Sequence, residues 1–514
     1  MQLKNEKHYR KALNIVNSLS KIELMKNDLL FYKASLLSKI GDKEEAVEHY
    51  EKFISVSPLS QAGLINLGLL YLEQKEFNKA EVIFKKAIKL TSSDKKAKSY
   101  SGLGESLYQQ KKYDIALKNF KKSIEYRPKS VLTWRNIAKT SQKLGEHLLT
   151  IDAFTKAVSL EKNNFRTRVE YANYLISRMD YLPAIQQLNT AKSIKNSNFD
   201  VRLKLSFSYM MLNKYINAKK QLDFAKKNIQ KKSERRLSDA VLKLLSNNHT
   251  ESIKLFKKNI KRKKIEGLAF LMLALNYDKL KRPKTALKYL LQVKPDFLYY
   301  LQSQQKIADI YIELKRFNDA VTIYKKLFPF IKENPELLYK ASLSEEKANH
   351  YNESMRLISL ALKIKQKKRW TLQKVKLYWL LEEQDKAILE LKALLAKYPR
   401  YTRARYFMAN YLNKLGELEQ SISQYTELLS ISSSYGDAQY QLALLYFNNK
   451  EIEQAQLLLK DYLYVKADSK RGRTLYARTF CEADQFQQCR EELELVLKLD
   501  PNYKAALDIY NTLK

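Results

Sequence analysis

Residues 61–90 read QAGLINLGLLYLEQKEFNKAEVIFKKAIKL, and the spacing of their apolar side chains is the first clue to the architecture. Apolar residues recur three and four positions apart on both sides of Lys75, which is the spacing of one face of an α-helix. The stretch therefore predicts two helices joined by a short turn. Gly68 and Ala80 place one small residue on each helix, and small side chains let two helix backbones approach closely.

The same hairpin recurs along almost the whole chain with a period close to 34 residues. Small residues occupy the position of Ala80 throughout: Ala46, Ala80, Ala116, Thr150, Ala184, Ala218, Ser252, Ala286, Ala320, Ser354, Ala387, Ser421, Ala455 and Cys489. A second small position lies twelve residues earlier, as Gly68 does, and a large apolar residue follows four residues later, as Phe84 does. We expect the large residue to plug against the neighbouring hairpin. The pattern predicts an all-α fold of about 14 tandem helix-turn-helix hairpins.

These residues resemble the tetratricopeptide repeat family, whose motif combines Trp, Leu-Gly-x-x-Tyr, Ala-x-x-x-Phe and Pro within 34 residues. Leu67-Gly68-x-x-Tyr71, Ala80-x-x-x-Phe84, Pro128 and Trp134 stand in those places, and the resemblance covers about residues 27–501. The resemblance implies an α-solenoid wound as a right-handed superhelix, with the first helix of each hairpin lining a concave face. It also implies a scaffold or adaptor for protein–protein interaction.

The repeat predicts one continuous solenoid in five segments. They are an N-terminal half-repeat at 1–26, repeats 1–6 at 27–232, a degenerate basic repeat at 233–266, repeats 8–14 at 267–501 and a C-terminal capping helix at 502–514. The unpaired helix at the start indicates that upstream sequence is missing or that a half-repeat caps the array. This feature favours a further interpretation, the regulatory arm of a larger assembly whose catalytic subunit is another chain.

Composition excludes several classes of protein. Apolar residues make up 45% of the chain and Gly and Pro number only 10 and 9, so the chain is neither disordered nor collagen-like. We find no apolar run long enough to span a membrane and no secretory signal, and two cysteines form no disulfide framework. These features predict a cytoplasmic protein. Cys489 fills a small-residue position, so packing explains it.

No motif for catalysis or metal binding stands out. The five histidines are far apart in sequence, and no His-Glu-x-x-His, phosphate-binding loop or nucleophile elbow occurs. We therefore predict that the protein is not an enzyme and carries no metal and no cofactor.

Charge is the strongest compositional signal. Lys and Arg number 94 against 55 Asp and Glu, a net charge of +39, and residues 201–300 hold 25 basic and 7 acidic residues. Such a field attracts acidic proteins or polyanions. The alternative function is therefore binding of nucleic acid or an acidic polysaccharide through a basic patch. The patch comprises Lys231, Lys232, Arg235, Arg236, Lys257, Lys258, Lys261, Arg262, Lys263 and Lys264.

The leading prediction is an adaptor that binds an extended or helical, acidic partner segment in the concave groove. The candidate contacts lie on first helices: Arg135, Asn136, Lys139, Lys143, Asn173, Lys204, Arg403, Tyr406 and Asn410. Chaperone-binding members of the family clamp a terminal carboxylate with Lys and Asn one turn apart. That order is absent here, and Asp200 stands where a cation is required, so a looser anion-binding groove is expected.

Overall fold

The computed structural model describes residues 2–19, 26–90, 93–259 and 266–513, and every regular element in these ranges is an α-helix. The prediction of an all-α solenoid is confirmed. The chain divides into two compact units, residues 1–314 and 315–514. Within each unit, each helix packs mainly against the helices before and after it in the chain. The number of repeats and the single continuous solenoid stay predictions.

Even-numbered helices occupy the predicted first-helix positions, and odd-numbered helices occupy the second-helix positions. The first unit contains α1 (Gln2–Leu19), α2 (Lys26–Ile40), α3 (Lys43–Val56), α4 (Gln61–Glu73), α5 (Phe77–Lys89), α6 (Ser93–Gln109), α7 (Tyr113–Tyr126), α8 (Val131–Leu144), α9 (His147–Leu160), α10 (Phe165–Ser177), α11 (Tyr181–Ile194), α12 (Phe199–Met211), α13 (Tyr215–Asn228), α14 (Lys232–Leu245), α15 (His249–Asn259), α16 (Glu266–Lys279), α17 (Pro283–Leu290) and α18 (Tyr300–Glu313). The second unit contains α19 (Phe317–Ile331), α20 (Pro335–Lys347), α21 (Tyr351–Ile364), α22 (Lys368–Leu380), α23 (Gln384–Lys397), α24 (Thr402–Lys414), α25 (Leu418–Ile431), α26 (Gly436–Asn448), α27 (Ile452–Val465), α28 (Lys470–Glu482), α29 (Phe486–Leu499) and α30 (Lys504–Thr512).

The large residue of the second helix α5, Phe84, lies between small residues of two first helices. The Phe84 ring is fully buried, and a Cβ atom at Gly68 of α4 would lie 2.7 Å from its Cζ atom. A Cβ atom at Gly102 of α6 would come even closer to the same ring. Because neither position has room for a side chain, the expected plug between neighbouring hairpins is present here.

Every turn between the two helices of a predicted hairpin contains one residue with positive φ, five positions before the small residue of the second helix. The fourteen residues are Gly41, Lys75, Lys111, Gly145, Met179, Asn213, Asn247, Lys281, Lys315, Asn349, Glu382, Gly416, Lys450 and Asp484. Only three of them are glycine, although a side chain disfavours this conformation. The turn geometry is therefore set by helix packing in most hairpins.

A long polar side chain fastens several first helices to the turn before them. Arg202 donates to the Asn196 carbonyl at 2.8 Å, and Arg405 donates to the Pro399 carbonyl at 2.9 Å. Trp134 occupies the same repeat position and donates to the Pro128 carbonyl at 2.8 Å. These bonds satisfy backbone carbonyl groups in the turn, two residues beyond the end of the preceding helix.

The regular pattern changes around α17, which has only eight residues. The segment that follows carries Tyr299, which is buried against Phe207 of α12 at a ring-centroid distance of 4.5 Å. The Gln302 amide donates to the Ile176 carbonyl of α10 at 2.5 Å. Residues 201–208 of α12 are all buried. The prediction placed the irregular repeat earlier, at 233–266, and residues 260–265 of that segment lie outside the described residues.

The two cysteines require a correction. Cys489 is fully buried in its small-residue position, as expected, but its sulfur is bonded to that of Cys481 in a disulfide between α28 and α29. Packing alone therefore does not account for Cys489. Because disulfides are typical of oxidising compartments, the cysteines do not support the cytoplasmic prediction.

We expect Phe84→Ala to lower the free energy of unfolding by about 3 to 5 kcal/mol, because it leaves a cavity between two first helices. Val82→Ala is the matched control, since Val82 lies on the same helix with 53% of its surface exposed. Denaturant unfolding followed by circular dichroism measures both. Equal effects of the two substitutions would contradict the plug.

We expect Lys75→Gly to raise the free energy of unfolding by about 0.5 to 1 kcal/mol, because it relieves a positive φ of 66°. The same change at Lys86, an exposed position inside α5, is expected to lower it by about 1 kcal/mol. Thermal unfolding of the two variants checks the opposite signs. If both glycine substitutions lowered the free energy of unfolding, the positive φ of Lys75 would not be a source of strain.

Candidate functional site

A cleft of about 910 Å³ lies on the first helices α4, α6 and α8 of the first unit, and we call it the first-helix cleft. Its apolar lining includes Ile65, Leu69 and Leu72 of α4 and Leu132 of α8. Leu69 and Leu132 are 46% and 59% exposed, so they offer apolar contact area to a ligand. A pocket with apolar walls and a few polar groups is the usual form of a binding site.

Three cations at one side of the cleft share the carboxylate of Glu170. Arg135 binds it through two hydrogen bonds of 2.7 and 2.8 Å, and Lys139 and Arg166 approach it at 3.1 and 3.2 Å. Burial acts to raise the pKa of Glu170, but the bonds and charges of Arg135 and Lys139 outweigh it, so this pKa lies below its usual value. The single negative charge of Glu170 therefore does not neutralise the three positive charges around it.

Further cations lie at the cleft without an acidic partner. Lys98, Arg127 and Lys143 line it, and each is exposed. Among the residues that the structure describes, no carboxylate forms an ion pair with any of the three. These three cations would therefore attract a negatively charged group of a ligand.

The structure brings together four of the predicted contact residues and separates the others. Arg135, Asn136, Lys139 and Lys143 all line the cleft. Of these, Arg135 is only 7% exposed and is engaged with Glu170, and the Asn136 amide donates to Glu105 at 3.2 Å. Their side chains therefore shape the wall, and Lys143 is the predicted residue that stands free.

The remaining predicted contacts lie outside this cleft. Lys204 is 8% exposed and forms an ion pair with Asp200, which corrects its assignment as an accessible groove cation. Asn173 is half-buried on α10. In the second unit, Arg403 is exposed, while Tyr406 packs 5.5 Å from the Tyr435 ring.

The last predicted contact, Asn410, donates to the Tyr406 carbonyl of its own helix at 2.8 Å. Sequence reasoning missed Lys98 and Leu132 as cleft residues. Both stand six positions before the small residue of their first helix, as Arg166 does, so the repeat frame itself could have identified them.

The predicted basic patch is described only in part. Lys231, Lys232, Arg235, Lys257 and Lys258 are exposed and Arg236 is half-buried, whereas Lys261, Arg262, Lys263 and Lys264 lie outside the described residues. Lys231 approaches Glu234 at 3.8 Å, and Arg235 donates to the Ile229 carbonyl at 3.2 Å. A role of this patch in polyanion binding stays a prediction.

Within the described residues, no group of three His, Cys, Asp or Glu side chains is arranged to hold a metal ion. None of the helices there is both long enough and apolar enough to cross a membrane.

Family models described as "Tetratricopeptide repeat" match residues 28–58, 60–129, 301–328 and 412–479. The chain is 26% identical over 147 residues to tetratricopeptide repeat-containing protein trd-1 of Caenorhabditis elegans, a match that covers 29% of this chain and 17% of that one. It is 24% identical over 148 residues to the type IV pilus assembly protein PilF of Pseudomonas aeruginosa, covering 28% and 58%. The chain thus spans less than two thirds of either relative.

Among solved structures, the APC/C hetero-tetramer Cut9–Hcn1 is similar with a TM-score of 0.48 and 11% identity, over 98% of both chains. Yeast Tom70 is similar with a TM-score of 0.38 and 13% identity, over 82% of this chain and 96% of that one. Both TM-scores lie below 0.5, so neither superposition transfers a binding property to this chain.

We expect Glu170→Gln to lower the free energy of unfolding at pH 7 by about 1 to 3 kcal/mol, because the substitution leaves three cations without their anion. The folded-state pKa of Glu170 is lowered, so its contribution is present above the unfolded value of about 4.3 and is lost as pH falls through the folded value. The difference between wild type and variant should therefore shrink below about pH 4. Denaturant unfolding across pH measures this, with the exposed Glu125→Gln as a control that changes nothing. A difference independent of pH would contradict the ion cluster.

Proposed function

We propose that this chain, four stretches of which match models of the tetratricopeptide repeat, is a non-enzymatic adaptor that holds a segment of a partner protein in the first-helix cleft. Stacked helical hairpins expose a long surface whose side chains vary while the packing residues stay the same. Such surfaces bind extended or helical peptide segments. The cytoplasmic location predicted from the sequence belongs to this proposal, and cell fractionation tests it.

The observation that carries the proposal is the composition of the cleft wall. Leu69 and Leu132 offer exposed apolar surface beside the uncompensated cations Lys98, Arg127 and Lys143. Apolar anchors supply most of the binding energy of a peptide, and charges supply orientation and association rate. The partner segment is therefore expected to carry apolar residues with acidic neighbours.

Existing ion pairs in the wall support the same ligand chemistry. Glu170 shows that a carboxylate is accepted here by Arg135, Lys139 and Arg166 together. These three cations are already held in position, so less side-chain entropy is lost when a second anion arrives nearby. The lining of the cleft therefore combines cations and amides, which bind carboxylates, with apolar groups, which bind apolar side chains of a peptide.

The experiment is site-specific photo-crosslinking in the cells that make the protein, with a photoreactive amino acid at position 132 or at position 457. Leu132 lies in the cleft, whereas Leu457 is 65% exposed on α27 of the second unit and serves as the control position. We expect position 132 to label acidic, apolar-containing peptides that position 457 does not label. Mass spectrometry identifies the labelled segments.

Charge reversal then tests whether the cations select the partner. We expect Lys98→Glu combined with Lys143→Glu to reduce the labelling from position 132 at least tenfold. The control combines Lys118→Glu with Lys121→Glu, an equal charge change at exposed positions of α7 outside the cleft. Equal labelling in both double variants would overturn the acidic-segment proposal. Labelling of nucleic acid alone, removed by nuclease, would favour the polyanion alternative.

A further inference from the structure

Three large apolar side chains protrude from the second helices of consecutive hairpins in the first unit. Leu148, Leu182 and Ile216 are the second residues of α9, α11 and α13, and they are 75%, 60% and 73% exposed. They are spaced 34 residues apart, so the repeat places them at the same position of three neighbouring units. We call this set the apolar stripe.

The stripe is confined to these three hairpins. Elsewhere the same position is polar or charged: Glu44, Asn78, Asp114, Thr250, Lys284, Asn318, Asn352, Asp385, Glu419, Glu453 and Gln487. Packing of the repeat therefore does not demand an apolar residue at this position. Large apolar side chains that stay exposed at the same position of three consecutive repeats therefore indicate a contact surface.

The charges beside the stripe change sign from one end to the other. The residue one helical turn after each stripe residue is Asp152, Gln186 and Lys220 in turn, and all three are exposed. Residues four apart on a helix lie on the same face, so each of these flanks its stripe residue. Leu148 thus has an acidic neighbour, Leu182 a neutral one and Ile216 a basic one.

The residues immediately before α9 and α13 carry the same charges as the neighbours of Leu148 and Ile216. Glu146 precedes α9 and Lys214 precedes α13, and both are exposed. A surface that runs from negative to positive about an apolar centre is complementary to itself when it is rotated by 180°. A contact across a two-fold axis requires this property, because every contact between two residues then occurs twice.

We propose that the apolar stripe is the contact surface of a symmetric dimer of this chain. The two-fold axis passes beside Leu182, which meets Leu182 of the second copy. Leu148 packs against Ile216 of the second copy, and Asp152 then faces Lys220 of that copy. This inference is independent of the first-helix cleft, which lies on different helices.

Charge complementarity favours a second copy over a lipid surface. Anionic membranes attract clusters of Lys and Arg, whereas Glu146 and Asp152 flank one end of the stripe. Asp180 acts against dimer formation, because the two-fold axis beside Leu182 would bring it close to Asp180 of the second copy. Asp180 has an interaction within its own chain, and it is half-buried, so its charge is partly compensated.

Analytical ultracentrifugation of the full chain tests the proposal at about 1 to 100 μM, the range expected for a small interface. We expect wild type to reach twice the 60.4 kDa monomer mass over this range. Leu182→Asp should remain a monomer, and Leu457→Asp, an equal change at an exposed leucine outside the stripe, should dimerise as wild type does. A monomeric wild type, or an unchanged dimer in Leu182→Asp, would overturn the proposal.

A charge exchange tests the two-fold geometry. Asp152→Lys and Lys220→Asp each place like charges opposite one another, and each should weaken dimerisation at least tenfold. An equimolar mixture of the two variants should restore it, because both contacts are then of opposite sign. Failure of the mixture to associate would overturn the axis at Leu182. Association of wild type beyond a dimer would also overturn it, because a contact that does not close continues indefinitely.

Discussion

The stacking of neighbouring hairpins around α4, α5 and α6 depends on one steric arrangement, a bulky side chain of a second helix lodged between small residues of two first helices. Phe84 illustrates it, since neither Gly68 nor Gly102 leaves room for a side chain beside its ring. The contact joins one hairpin to the next, so the same geometry can be repeated along the chain. Because it uses only three positions of each hairpin, the outward-facing positions are free to vary.

The same packing explains why the turns tolerate unfavourable residues. Lysine, methionine, asparagine and acidic residues adopt positive φ at a position where glycine would be relaxed. The helices on both sides are held by buried contacts, so the turn follows their geometry at a small local cost. Long side chains such as Arg202 and Arg405 then fasten a first helix to the turn before it.

Much of the candidate site could be read from the repeat frame, and the remainder depended on which neighbours meet. The frame placed Arg135, Asn136, Lys139 and Lys143 on one first helix, and all four line the cleft. It did not reveal that Arg135 is already hydrogen-bonded to Glu170, because Glu170 lies 35 residues further along the chain, on the next first helix. Nor did it reveal the burial of Lys204 or the contact of Phe207 on the same helix with Tyr299, which lies 92 residues after Phe207 in the chain.

The sequence alone determined the helical period, the small and large positions and the resemblance to tetratricopeptide repeats, because these depend on spacing within one hairpin and on contacts between adjacent hairpins. Periodic patterns report such local contacts directly. Only the tertiary structure decided which groove positions are open, which cations are already paired and that Cys481 meets Cys489. Those features depend on the distance and orientation of side chains on separate helices, and residue type at a repeat position does not specify either.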